Sequence, residues 1–586
     1  MRQWMVAAKK ADFYVIAEKF HVDPVVARII RNREVIGEKN IRIYLGGNLS
    51  DLSDPHQMKD MDRLVEILAQ KIRKQVHIRI IGDYDVDGVT SSHLFLTALR
   101  RVGAKVDVVI PHRIQDGYGL SLHLLQQAKE DGVDTILTCD NGIAAIDEIA
   151  WAKAQKMTVL VTDHHAVPFE EHEGRRTEKK SLADAVVNPH QQDCGYPYKE
   201  LCGAGVAWNV IRVLYENYDM DKREAEDLLD FVAMATVCDV MSLTGENRIL
   251  VKEGLKRIRH TKNIGLQALM QACNVQPENI SAYHFGYVLG PCVNATGRLD
   301  TARHALRLFE TGQETEAEEI ARDLVDLNQE RKELTLQGVE MAKKLCEEGG
   351  YENDPVLVLF LPDVHESIAG LIAGRIREAY QRPVFVLTRG EEGVKGSGRS
   401  IEAYSMFDKM TEVVELFTKY GGHPMAAGLS MREEDIDKLR EQLNQKAELS
   451  EEDMAEVVRL DAVLPMSYFT VDTIRQLSVL EPCGKSNTRP VFADRNIKIT
   501  RAGIVGVNRN VLKLHLLDSK GNPVAGVYFG EVEKFLTFLS EKFGSEEVDA
   551  AMHGKENSIQ FAAVYEPAVD TYSGRESVQA IIRRFR

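Results

Sequence analysis

The stretch IRIIGDYDVDGVTSS, Ile78 to Ser92, sets three aspartates on alternate positions directly after an apolar run. Three carboxylates this close repel one another unless they share a cation or point apart. The apolar run reads as a buried strand, and the SSHLFLTALRRVG segment that begins at Ser91 has helical spacing. The alternation continues: VHIRIIGD, VDVVIP, DTILTCD and TVLVTD read as strands, and AAIDEIAWAKAQ as another helix. Strand and helix in this order predict a parallel sheet with helices on both faces over about residues 60–165.

In such a sheet, ligands bind beyond the carboxyl ends of the strands. IRIIGD delivers Asp83, with Asp85 and Asp87 in the loop after it. TILTCD delivers Asp140, and TVLVTD delivers Asp163 followed by His164 and His165. The apolar segment MATVCDVMSL adds Asp239. Carboxylates with one or two imidazoles and no thiolate suit Mn²⁺ or Mg²⁺ better than zinc. So many acids exceed the needs of one ion. Two ions about 3.5–4 Å apart need a shared carboxylate, and hydrolysis of a phosphate ester or anhydride is the chemistry that best uses them. Each piece also has an ordinary structural use, since Asp-Gly is a frequent turn pair and paired histidines often only pack. Their conjunction at strand ends is what points to a metal site.

A chain of 586 residues exceeds one core, so three or four domains are expected. Hydrophobic content of 44% and charged content of 28% are those of a soluble globular protein. No apolar run reaches the roughly 18 residues of a membrane span. The opening MRQWMVAAKK lacks the apolar core of a secretion signal, so the cytoplasm is the expected location. Eight cysteines without a CxxC pair argue against a zinc cage and a disulfide framework. The net charge of −16 counts against a polyanionic partner, but its distribution does not. Between Gly484 and His515 stand Lys485, Arg489, Arg495, Lys498, Arg501, Arg509 and Lys513 against one acid, Asp494. That run is either a solvated face or a nucleic-acid face.

Residues 205–310 read as mainly helical, and Glu314 to Glu348 as one long, charge-rich helix able to connect two domains. A second α/β unit begins at PVLVLFLP and continues through SIAGLIAGRIREAY and PVFVLT. From about residue 455 short strands dominate (RPVFADRNIKITRAGIVG, VLKLHLLD, PVAGVYFG, IQFAAVYEP), which predicts a small barrel such as an OB-fold. The fold class is therefore α/β, with two α/β domains joined by a long helix and a C-terminal OB-type β-barrel. The expected divisions are an N-terminal extension (1–50), the acid-rich domain (51–310), the connecting helix (311–350), the second α/β domain (351–450) and the barrel (451–586).

GDYDVDG, the CDNG loop and TDHHAVP, in this order, resemble the motifs of the DHH phosphoesterase superfamily. NPHQQDCGYPYKELCGAGVAW, NATGRL, KGSGRS and YGGHPMAAGLS resemble those of its RecJ branch, single-strand-specific 5′→3′ exonucleases built from DHH, DHHA1 and OB domains. The likeness runs from about residue 40 to 570. It implies that Asp85 and Asp140 hold one metal while Asp87, Asp140, His164 and Asp239 hold the other, with Asp140 bridging. Asp83 would lie in or just behind these ligands, His165 would face the scissile phosphate, and Asp163 would orient an imidazole. Arg113, Arg298, Ser397 and Arg399 would grip the 5′ phosphate, the arginines bidentately. The glycines of GSGRS and GGHPMAAG would let backbone approach phosphate, and His423 would contact the nucleotide near the cleaved bond. The basic run from Lys485 to Lys513 would line the barrel's strand-binding groove, with few aromatics to stack bases: Phe492, then Tyr528 and Phe529.

The implied function is release of 5′-mononucleotides from single-stranded DNA with two Mn²⁺ or Mg²⁺ ions, in repair and recombination. Implied partners are single-stranded DNA, a single-strand-binding protein and a RecQ-type helicase, with the chain a monomer. No counterpart is expected of the additional C-terminal domain that some members carry. Two alternatives stay open. One is a phosphodiesterase of short oligonucleotides or cyclic dinucleotides, or a pyrophosphatase, from the same superfamily; the barrel speaks against it. The other is an inactive scaffold of the replication machinery, against which every ligand position carrying Asp or His speaks.

Overall fold

A computed structural model of the chain describes residues 2–586 except 114, 115, 118, 173, 174, 391, 392, 507, 572 and 573. Two compact units emerge: Asn48–Glu456, and Arg2–Gly47 together with Val457–Arg586.

The first unit opens with helix α1 (Met61–Arg73) and a parallel sheet. Its strands are β1 (His77–Ile81), β2 (Lys105–Val109), β3 (Thr135–Cys139), β4 (Thr158–Thr162) and β5 (Ala185–Val187), in the order β2-β1-β3-β4-β5. All four pairings are parallel. Alternate residues serve opposite faces because side chains alternate along a strand. Ile78, Ile80, Leu137 and Leu160 enter one core with α1, α2 (Val86–Arg101) and α5 (Gly203–Asn217). Ile81, Ile136, Val159 and Val161 enter another with α3 (Leu122–Glu130) and α4 (Ile146–Ala154). Helices α6 (Leu229–Cys238), α7 (Ile264–Ala272) and α8 (Gly290–Leu299) extend the first core.

Helix α9 (Glu314–Glu348) is a single element of 35 residues. Its first half puts Ala317, Ile320, Ala321 and Leu324, at helical spacing, into the first core. Near its end Ala342 and Cys346 enter the core of the second sheet. One helix thus belongs to both domains. The second sheet has β6 (Leu357–Phe360), β7 (Val384–Gly390), β8 (Gly393–Arg399), β9 (Phe417–His423) and β10 (Ala426–Met431), ordered β9-β10-β8-β7-β6. Only β6 and β7 pair in parallel, connected by α10 (Ala369–Tyr380).

In the second unit, β11 (Ala462–Val463), β12 (Phe492–Val505), β13 (Val511–Leu517), β14 (Pro523–Phe529), β15 (Gln560–Asp570) and β16 (Ser577–Phe585) form one sheet, ordered β11-β12-β13-β14-β16-β15. A further pairing of β12 with β15 closes a five-stranded barrel. The 14-residue β12 serves both neighbours because its ladder with β15 is interrupted between Asp494 and Ile497. The barrel core of Phe492, Ile497, Leu514, Phe535 and Phe561 includes Val26, Ile29, Ile30 and Tyr44. Most of the expected N-terminal extension is therefore barrel packing. Among the described residues, no helix is long and apolar enough to cross a membrane.

Candidate metal centre and phosphate grip

The ends of β1, β3 and β4 carry Asp83, Asp140 and Asp163 to one edge of the first sheet. Asp85 caps α2, its Oδ1 accepting from Gly88 N at 3.1 Å. Asp239 ends α6, where the helix dipole is unfavourable to a carboxylate without a cation nearby. Asp140 has a left-handed backbone, φ 62°, a conformation costly for a non-glycine residue.

Three sets of potential ligands result, each with its donor atoms within 4.8 Å of one another: Asp83, Asp85 and Asp140; Asp87, His164 and Asp239; and Asp140, His164 and His165. His164 Nε2 lies 3.0 Å from Asp140 Oδ1, 3.6 Å from Asp239 Oδ2 and 3.7 Å from Asp87 Oδ2. Asp140 thus stands between the two halves of the cluster. Burial, then the charges of Asp87, Asp85, Asp239 and Asp83, push the Asp140 carboxyl well above the usual range. Burial and Asp85 do the same to Asp83. Burial and Asp87 raise Asp85. Such a cluster is ionised only beside positive charge. Asp83 Oδ1 is buried with no hydrogen-bond partner among the described residues, an acceptor that a cation would satisfy. The all-oxygen and imidazole donor set fits hard divalent ions.

The two histidines differ. Burial lowers the His164 pKa, which keeps the ring neutral, the form that ligates. Burial opposes charge on His165 too, but Asp163 outweighs it and raises that pKa to about 9. Asp163 Oδ1 accepts from His165 Nδ1 at 2.8 Å and from the backbone N of His164 and His165, at 2.7 and 3.0 Å. Its Oδ2 accepts from Ile143 N at 2.9 Å, so Asp163 orients the His-His loop. Asn188 Nδ2 donates to His165 O at 2.9 Å. Asp87 also caps α5, its oxygens accepting from Gly203 N (2.6 Å) and Ala204 N (2.7 Å). A Cβ on Gly203 would lie 2.6 Å from Asp140 Cβ, so the glycine lets α5 reach the centre.

Beside the carboxylates lies a cleft of about 310 Å³ lined by Asp83, Tyr84, Asp85, Arg113, Cys238, Asn294 and Arg298. Arg113 stacks 4.9 Å over the Tyr84 ring. Arg298 Nη1 donates to Ser367 O at 2.6 Å, joining α8 to the entry of α10. Arg399 Nη1 donates to Ser397 Oγ at 3.3 Å, and a Cβ on Gly370 would lie 2.7 Å from that Oγ. Burial, then Arg113, Arg331 and Arg399, lower the Arg298 pKa to about 10. Burial, Arg113 and Arg377 lower that of Arg399. Guanidiniums that depress one another are close enough to concentrate positive charge in one place. The structure therefore brings Arg113, Arg298, Ser397 and Arg399 together. His423 ends β9 as an exposed side chain.

Tyr84, Asn294 and Gly203 lie inside sequence motifs but were not singled out by residue chemistry. Asn294 Oδ1 accepts from Val86 N at 3.1 Å and so fixes the start of α2. Arg331 carries no local mark at all, being one charge among many on α9. On the barrel, Lys485, Arg489, Arg495, Arg501, Arg509 and Lys513 are exposed and Lys498 is half-buried. Asp494, the acid of this run, is buried and accepts from Met466 N at 3.1 Å. Phe492 is in the core and Tyr528 nearly so, leaving Phe529 as the exposed aromatic of the three.

Three family models match: the DHH family N-terminal domain over residues 77–236, the DHHA1 domain over 353–449 and the RecJ OB domain over 460–584. The chain is 35% identical to the single-stranded-DNA-specific exonuclease RecJ of Haemophilus influenzae, over 85% of this chain and 88% of that protein. It is 32% identical to RecJ of Escherichia coli over 95% of each. Against RecJ of Bacillus subtilis it is 33% identical over 85% of its own length, and spans 62% of that protein. Among solved structures, RecJ of Thermus thermophilus in complex with Mn²⁺ superposes with a TM-score of 0.80 at 26% identity, covering all of this chain and 79% of that one. A RecJ exonuclease bound to manganese gives 0.57 at 31% identity, over 67% of this chain and 96% of that one. The chain belongs to the RecJ family of single-stranded-DNA-specific exonucleases.

Proposed function

We propose that this chain degrades single-stranded DNA from its 5′ end, releasing 5′-mononucleotides with the help of two divalent cations, Mn²⁺ or Mg²⁺. The observation that carries the reading is the adjacency of an acid–imidazole cluster centred on Asp140 to a crowd of arginines. Asp83, Asp85 and Asp140 would hold one ion, and Asp87, Asp140, His164 and Asp239 the other. When bound, such a pair supplies Lewis acidity, lowering the pKa of water and neutralising charge at phosphorus.

The chain's own groups do the rest. Arg113, Arg298, Ser397 and Arg399 grip the terminal 5′ phosphate, which sets the first linkage over the carboxylates. His165, held by Asp163 through Nδ1, keeps a proton and orients the scissile phosphate's oxygen. His423 contacts the nucleotide beside the cleaved bond. The basic residues of the barrel, from Lys485 to Lys513, bind the single strand through its phosphates. The same reading carries the divisions at residues 51, 311, 351 and 451, a cytoplasmic monomer, and contacts with a single-strand-binding protein and a RecQ-type helicase.

The trial is incubation with Mn²⁺ and a 5′-phosphorylated, 3′-labelled single strand. Mononucleotides with progressive shortening are expected. A strand left intact while dinucleotides are hydrolysed would overturn the reading in favour of a short-oligonucleotide enzyme.

A further inference from the structure

Cys273 caps the C-terminal end of α7, and Cys292 lies in the first turn of α8. Both are free, and their Sγ atoms are 3.7 Å apart. Cys292 is buried and Cys273 is partly exposed. Asn328, on α9, donates Nδ2 to Cys292 Sγ at 3.4 Å. Its Oδ1 accepts from Arg331 Nη2 at 2.9 Å and Nε at 3.1 Å. Arg331 is one of the guanidiniums that depress Arg298. The thiol pair therefore sits two hydrogen bonds from Arg331, whose charge reaches Arg298 of the phosphate grip.

We propose that Cys273 and Cys292 are a modification site, a dithiol that a small-molecule disulfide oxidises, and that the cross-link turns the Cys292 thiol to which Asn328 donates into a disulfide sulfur, a poorer acceptor, and so loosens Arg331. The environment suits the chemistry. The bond from Cys273, helped by Asn328, Lys332 and Arg331 and opposed by burial, holds the Cys292 thiol below its ordinary pKa, while that bond and burial push Cys273 up. A thiolate near cations is the reactive form. The sulfurs must close from 3.7 Å to a bond of about 2.05 Å. Cys273 can supply the motion, since it follows a helix end and precedes Asn274 in a left-handed turn, φ 55°.

The exchange takes two steps. Cys273 sulfur, the accessible one, passes its proton to Cys292 sulfur across the 3.7 Å contact as it attacks the small disulfide and expels one thiol. Cys292 sulfur then attacks Cys273 sulfur and expels the second. The protein pair loses two electrons, the small disulfide gains them, and the two thiol protons leave on the two released thiols. The modification site stands on the thiol geometry alone, whereas its effect on the grip rests on the proposed function.

The test treats the intact protein with oxidised glutathione, quenches with an alkylating agent in denaturant so that buried thiols react, and maps peptides without reduction. A cross-linked peptide pair joining Cys273 to Cys292, with the other six cysteines alkylated, is expected. Oxidised protein should lose its preference for 5′-phosphorylated over 5′-hydroxyl strands by about tenfold, one charge-assisted hydrogen bond's worth. Dithiothreitol should restore it, and Cys273→Ser should keep it under oxidation. Alkylation of all eight cysteines would overturn the site. A cross-link with unchanged preference, while Arg399→Ala still abolishes preference, would overturn the coupling through Asn328. Absence of any preference in the reduced protein would instead fail the grip reading and the coupling with it, leaving the cross-link to decide the modification site.

Discussion

Asp140 gathers more of the centre's constraints than any other side chain. Its backbone is left-handed, its carboxyl is flanked by four other aspartates, and His164 Nε2 is 3.0 Å away. Asp140→Ala is expected to reduce turnover by more than about 100-fold, because it removes the proposed shared ligand. Strand binding should survive, since the arginines and the barrel are untouched; retention of half the activity would sink the bridging role. In the proposed function Arg399 acts on the other end of the substrate. It is half-buried beside Ser397 and Gly370, so its charge is worth more than that of a surface arginine. Arg399→Ala should cut the preference for a 5′ phosphate by about tenfold or more. Equal losses on phosphorylated and hydroxyl ends would make it a general backbone contact.

Among the elements, the N-terminus of α5 and the loop after β3 are interlocked. Gly203 N donates to Asp87, and the space for a Cβ on Gly203 is taken by Asp140. Gly203→Ala should cost about 1–3 kcal/mol of stability by overpacking. Turnover should fall further than the folded fraction explains, because Asp87 and Asp140 both shift. Thermal unfolding beside kcat at saturating Mn²⁺ separates the two, and unchanged kcat in the folded fraction would refute the interlock. Helix α9 works over a longer reach. Its ends are buried in two cores, and between them it carries Arg331 close enough for the charge to lower the Arg298 pKa.

For the molecule as a whole, the first core contains an acid-sensitive group. His93 is buried, its ring centroid 4.4 Å from that of Phe231 and 5.9 Å from that of Phe309, and its Nδ1 has no hydrogen-bond partner among the described residues. Burial, with Arg100 adding to it, lowers its pKa from 6.5 to about 3. The unfolded chain then binds a proton that the folded chain refuses. This contribution to stability is complete above about pH 6.5 and is lost as pH falls towards 3. Between pH 7.5 and 5.5 the loss is about 1.4 kcal/mol. Denaturant unfolding of wild type and His93→Leu across that range should differ in slope by this amount; parallel curves would refute it. The second unit leads to another test. Residues 48–456 alone should remain folded and hydrolyse short strands, with weaker binding to long strands and a shallower salt dependence. Residues 1–456 should aggregate instead, because Val26, Ile29 and Ile30 lose the barrel they pack on. Equal solubility on size-exclusion chromatography would show that the N-terminal helices need no partner.

Local pattern was enough to read the strands that end in acid, their common edge, the long helix and the barrel class. These follow from periodicity and from one rule of parallel sheets, that successive strands end on the same side. Asp83, Asp140 and Asp163 were legible for that reason, and Asp239 because it closes an apolar helix. The remainder came from folding in three dimensions. That Asp87 caps a helix more than a hundred residues on, that the Arg331 charge reaches Arg298, and that β12 closes on β15 are relations between distant segments. So is the packing of Val26 and Ile30 against the barrel. Such contacts leave no period and no neighbouring signal, since a helix face or strand edge shows that it must be covered but not by what.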